Sequence, residues 1–135
     1  MGFLLTSQDI ALWMQRDPHF IGVFAQNQLP IKVPPIPNVI KLVLNTDCDN
    51  LDGRHWIAFM RHPSGEGEIF DSFGLYPPAR LQLWCNKHSL KWKHNTQCIQ
   101  KINTNLCGTY CCLFLTSRHK FNDLFSCVKH LSDVV

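Results

Sequence analysis

Apolar residues follow two rhythms along this chain. Ile10, Leu12, Trp13 and Met14 recur at helical spacing, and Ser7 stands where a cap would, so a helix is predicted over residues 8–16. Asp17-Pro18 ends it, because a residue before proline leaves the helical region. Residues 20–25 read as a short strand. Residues 29–37 hold four of the eight prolines and form an extended loop. The β-branched apolar run at 39–44 predicts a strand covered on both faces.

The second half repeats the alternation. Residues 45–54 are polar and contain Asp52-Gly53, a turn. Strands are predicted at 55–61 (HWIAFMR) and 68–73 (EIFDSF), joined through a turn at 63–67 into a hairpin. Pro77-Pro78 can open a helix that runs to residue 86, with Leu81, Leu83 and Trp84 as its apolar side. Residues 92–102 give a last strand. Residues 106–117 are too long and too apolar for most strands and read as a buried helix, and 121–131 as an amphipathic one. This order predicts an α+β fold, a central, mostly antiparallel sheet flanked by helices, in a single domain over 1–135.

Composition narrows the class. With 45% apolar and 17% charged residues the chain can bury a core and is not a disordered segment. No apolar stretch reaches the ~18 residues of a membrane span, and the start lacks the basic region and cleavage site of a signal peptide. Seven cysteines, an odd number, then point to free thiols in a reducing compartment. None has CxxC spacing, so a structural zinc site is not expected. The net charge of +3 is mildly basic and compatible with weak, non-specific DNA contact.

Thiol catalysis needs a thiolate, a base, a group that orients the base, and donors for the oxyanion. Cys107 precedes Gly108 and opens the 106–117 helix, where the helix N-terminus lowers a thiol pKa and a glycine lets a substrate backbone approach. A lone thiol is more often simply buried, and Cys111 and Cys112, one turn inside the helix, read as core. His55 starts the HWIAF strand, with Trp56 placed to shield or stack on its ring. A lone strand-end histidine usually has no role, and the remaining six of the seven are read that way. Asp71 lies on the neighbouring strand of the hairpin, where a carboxylate can take the imidazole N–H and fix its tautomer. In so apolar a stretch it needs a partner. Gln100 ends the last strand, and its carboxamide N–H can reach an oxyanion held by the Cys107 backbone N–H. Gln97 is a rival that spacing does not exclude.

Read together, HWIAF (55–59), IFDSFG (69–74), TQCIQ (96–100) and NLCGTYCCLFL (105–115) resemble the adenovirus maturation protease (adenain) family. More distantly they resemble the SUMO/NEDD8 deconjugating proteases that share its fold. The resemblance implies an adenain/Ulp1-like cysteine endopeptidase with Cys107 as nucleophile, His55 as base, Asp71 as orienter, and Gln100, favoured over Gln97, in the oxyanion hole. The acid is Asp, as in the deconjugating relatives, where the adenovirus enzymes mostly carry Glu. The resemblance further implies polypeptide substrates such as viral precursor proteins, cut after small residues such as Gly-Gly during particle maturation. The chemistry needs no cofactor, but family members can be stimulated by DNA or by a short activating peptide joined through a disulfide. A monomer acting in the host nucleus and the virion is expected. The alternatives are removal of ubiquitin-like modifiers, or a catalytically inactive module of the same fold that grips peptide or DNA.

Overall fold

The computed structural model describes residues 4–46, 55–101 and 104–134. Helix α1 (Ser7–Trp13) is capped by Thr6, not Ser7. The Thr6 side chain accepts the Asp9 N–H, and the Asp9 carboxylate takes the Thr6 N–H in return. This reciprocal box starts the helix one residue earlier than the apolar pattern suggests, and the helix stops before the turn that leads to Asp17-Pro18.

Strands β1 (Phe20–Ala25), β2 (Ile40–Asn45), β3 (Trp56–Arg61), β4 (Glu66–Phe70) and β5 (Lys91–His94) form one sheet in that spatial order. The central pairs β2–β3 and β3–β4 are antiparallel, and the edge pairs β1–β2 and β4–β5 are parallel. The predicted turn at 45–54 lies, from residue 47 on, outside the described residues. The hairpin is present but shifted: β4 begins two residues before the predicted strand and ends at Phe70. Gly65, at a φ of +92°, makes the turn tight enough for pairing to start at Glu66. At the other end Gly74 N–H bonds Asp71 O, so Asp71 opens a turn and does not continue the strand.

The period of two explains why the strands look continuously apolar. Ile40, Leu42 and Leu44 of β2 and Ile57 and Phe59 of β3 face α2 (Ala79–His88) and its Leu81, Trp84 and Cys85. Val43, Trp56, Ala58 and Met60 face the opposite way, onto α1, α3 (Cys107–Ser117) and α4 (Leu124–Val134). Phe59 meets Trp84 edge-on at 5.2 Å on one side, and Phe70 stacks on Phe114 at 4.8 Å on the other. Helix α3 is buried around most of its circumference, as its composition predicts.

The largest departure is the predicted strand at 92–102. Only Lys91–His94 pairs in the sheet, and residues 95–100 run as an irregular segment. Their polar groups are satisfied by the turn after β4: Ile99 N–H and Gln100 N–H both bond Ser72 O, at 2.8 and 3.1 Å.

Candidate active site

Two chain ends and a helix tip meet at one end of the β3–β4 hairpin. His55 immediately precedes β3, Asp71 immediately follows β4, and Cys107 is the first residue of α3. Antiparallel pairing of Ala58 with Phe70 brings the first two side by side, and His55 Nε2 lies 2.7 Å from Asp71 Oδ1. The same Oδ1 accepts the Phe73 N–H at 2.8 Å. The Phe73 ring lies against the imidazole, with centroids 5.0 Å apart. Phe73, not Trp56, is the aromatic on His55. The Trp56 indole is turned into the core, and its N–H donates to Leu5 O at 3.1 Å.

Because Nε2 is engaged with Asp71, Nδ1 is the nitrogen left for other chemistry. It is buried and has no hydrogen-bond partner among the described residues. The Cys107 thiol lies close enough to this ring for each group to favour the charged form of the other. Burial opposes charge on the imidazole, but the bond to Asp71 and the neighbouring Cys107 outweigh it and hold the His55 pKa up at about 9. Burial likewise opposes the thiolate. The nearby His55 imidazolium and the backbone hydrogen bonds of Trp56 and Gly108 outweigh it and bring the Cys107 pKa below the usual thiol value. No acidic residue occupies the first turn of α3, so nothing competes for the positive end of its dipole. The other thiols of the helix behave oppositely: burial pushes Cys111 far up and Cys112 up to about 12. The arrangement therefore favours a thiolate at Cys107 beside an imidazolium, while burial keeps Cys111 and Cys112 protonated.

Gln100 is buried beside the acid. Its Oε1 accepts the Ser72 hydroxyl, and its Nε2 donates to Thr104 O and Oγ1 at 3.1 and 3.0 Å. Gln97 contributes its backbone carbonyl to Asn95 at 3.2 Å. Gly108 also has a packing use that its sequence position does not show. A Cβ there would meet Leu5 Cβ at 3.1 Å and Trp56 Cδ1 at 3.2 Å. The missing side chain makes room for the N-terminal segment and the tryptophan, so it serves packing around Cys107. Two contributors escaped the sequence reading, Phe73 and Asn95. Neither residue type signals a role by itself, and both act because of the turn that follows β4.

No family model matches the chain. In sequence it is similar to the protease of Bovine adenovirus C serotype 10, with 30% identity over 88 residues, 54% of this chain and 45% of that protein. It is also similar to the protease of Human adenovirus B serotype 3, with 24% identity over 113 residues, 73% and 53% of the two chains. The chain thus spans about half the length of the curated relatives it matches. Among solved structures, an ASFV protease superposes with a TM-score of 0.65 at 19% identity, covering 98% of this chain and 62% of that one. The central domain of an uncharacterized protein from Legionella pneumophila gives 0.62 at 14% identity, over 98% and 88%. The structural likeness carries the fold, which is that of the ASFV protease and of adenain/Ulp1-like cysteine proteases. The sequence relatives are all adenovirus proteases, in keeping with the resemblance to the adenain-like cysteine proteases.

Proposed function

We propose that the chain is a cysteine endopeptidase that cleaves viral precursor polypeptides. One observation supports this reading: a half-buried imidazole is bonded through Nε2 to Asp71, and the thiol of Cys107, at a helix N-terminus, lies close enough to the same ring to share its electrostatics. The Cys107 thiolate attacks the scissile carbonyl carbon. The carbonyl electron pair moves to oxygen, and the oxyanion is met by the Cys107 backbone N–H and by Gln100. Gln100 takes this role by turning one Nε2 hydrogen from Thr104 to the substrate. Collapse of the intermediate breaks the C–N bond. The His55 imidazolium gives its proton to the departing amine and leaves a thioester on Cys107. His55, now neutral, takes a proton from water. The resulting hydroxide equivalent attacks the thioester, releasing the carboxylate product and restoring the thiolate–imidazolium pair. Asp71 holds the ring in the tautomer and orientation that both steps use.

Incubation with iodoacetamide near pH 7, followed by mass mapping, tests the site. Modification of Cys107 ahead of Cys98, Cys111 and Cys112 is expected, and faster reaction elsewhere together with retained activity would remove the assignment. Competing an adenovirus-type precursor peptide against a ubiquitin-like fusion separates precursor cleavage from deconjugation. Adding DNA or a particle-derived peptide to the same assay tests the stimulation that the resemblance implies.

A further inference from the structure

Asn95 sits where β5 leaves the sheet. Its backbone N–H still reaches Ile69 O at 3.4 Å, just past the Ile69–His94 pair that closes the β4–β5 ladder. From there its side chain takes over the pairing. Oδ1 accepts the Asp71 N–H at 2.8 Å, and Nδ2 donates to Asp71 O at 2.6 Å. A carboxamide presents an acceptor and a donor side by side, as a peptide group does, so it can continue a ladder after the chain itself has turned away. Asn95 is only 7% exposed and Asp71 only 3%. A buried backbone N–H with no partner is costly, and Asn95 supplies the partner for Asp71.

A second observation places the same segment against the same turn. Gly74 has a φ of +68°, and a Cβ there would lie 2.5 Å from Thr96 O. The end of the Asp71–Gly74 turn thus touches, backbone to backbone, the residue that follows Asn95. The segment that starts at Asn95 cannot shift without moving the turn, and the turn carries the carboxylate that holds His55.

We propose that Asn95 is a positioning residue for the reaction. By pairing with both backbone groups of Asp71, it fixes the direction of that carboxylate towards His55 Nε2 and, through the ring, the state of Cys107. The inference rests on the proposed protease reading and adds to it a residue that touches neither substrate nor reacting atoms.

The test is a double-mutant cycle with two readouts, peptide turnover and the pH profile of Cys107 alkylation. Asn95→Ala is expected to lower kcat by about 10- to 100-fold with KM within twofold, because small misplacement of a catalytic group has effects of this order. It is also expected to move the alkylation profile to higher pH. In an Asp71→Ala background the same substitution should change kcat less than twofold, since the group through which it acts is gone. Equal losses in both backgrounds, or an unmoved alkylation profile, would overturn the proposal. Asn95→Asp keeps the acceptor for the Asp71 N–H and loses the donor to Asp71 O, and an intermediate loss is expected. If both variants fail to unfold cooperatively, Asn95 is a residue of stability and the proposal is likewise overturned. Failure of the protease reading itself looks different: the unmutated protein then shows neither turnover nor selective reaction at Cys107.

Discussion

The β3–β4 hairpin carries a carboxylate–histidine pair at each end, and the two ends are finished differently. At one end His55 meets Asp71 at 2.7 Å, and at the other His62 Nε2 lies 3.1 Å from Glu68 Oε1. Glu68 is fully buried and saturated. Arg118 spans it with two bonds, Nε to Oε1 at 2.7 Å and Nη2 to Oε2 at 2.9 Å, while Nη1 is tied to Phe121 O. Burial alone would raise the Glu68 pKa, but His62 and Arg118 outweigh it and hold the value down at about 2. The thiol near that end, Cys127, is pushed up by burial, and the guanidinium of Arg118 already occupies the acid. At the His55 end the imidazole is bonded to the acid, and no described arginine is bonded to Asp71. The same pair of residue types makes a fixed strut when a guanidinium completes it, and on the proposed reading a proton-handling device when a thiol stands beside it.

The largest effect expected follows from removing the thiol. Cys107→Ala should lower turnover by about 10,000-fold or more, since the nucleophile's loss leaves only binding and oxyanion contacts. The melting temperature should stay within a few degrees. Cys111→Ser, one turn along the same helix, should leave turnover within about threefold per folded molecule. Peptide cleavage assays with calorimetry on both variants check this, and substantial activity in Cys107→Ala would end the distinction between the two ends.

Next comes the strut. Arg118→Met leaves the Glu68 carboxylate buried without its fork and should destabilise the fold by about 3–5 kcal/mol. Glu68→Gln together with Arg118→Met should recover most of that loss, because no uncompensated charge then remains. Urea unfolding measures both. The alkylation rate of Cys107 in the folded fraction should change less than twofold, and a larger change would mean that the two ends are coupled through the hairpin. A smaller effect is expected from His55→Ala, which should slow Cys107 alkylation at pH 7 by about tenfold by removing the cation beside the thiol.

The legibility of the two ends differed as well. His55, Asp71 and Cys107 could be read as a set because each sits at an element boundary marked locally: a polar turn before HW, the DSFG turn, and a glycine after the cysteine. The Glu68–Arg118 strut could not, since its partners are 50 positions apart and neither stands in a motif. The sheet and its covered faces followed from period-two alternation, and β1 matched residue for residue. The strand predicted at 92–102 failed for a physical reason. Its residues have strand-like composition, but the chain leaves the sheet after His94, and the backbone groups of Asp71 are taken by the Asn95 side chain. Side-chain pairing by Asn95 replaced it, and no periodicity reports that. The packing of Gly108 against Leu5 and Trp56 is not legible in the sequence, because their close approach is a tertiary fact.

The two ends should also respond to opposite extremes of pH. The folded pKa of Glu68, about 2, lies below its ordinary value of 4.5. Its contribution to stability is therefore complete above pH 4.5 and is lost as the pH falls through 2. The folded pKa of His55, about 9, lies above its ordinary value of 6.5. Its contribution is complete below pH 6.5 and is lost as the pH rises through 9. Glu68→Gln should accordingly be less stable than the unmutated protein at pH 6 and converge with it near pH 2. His55→Gln should be less stable at pH 6 and converge above pH 9. Each difference at pH 6 should reach about 4 °C in melting temperature, the shift expected for about 1 kcal/mol in a domain of this size. Thermal melts of the three proteins between pH 2 and pH 10 follow both curves. Convergence of the His55 variant at the acid end instead would mean that its ring is neutral in the folded protein, and the thiolate–imidazolium pair would have to be abandoned while the strut survived.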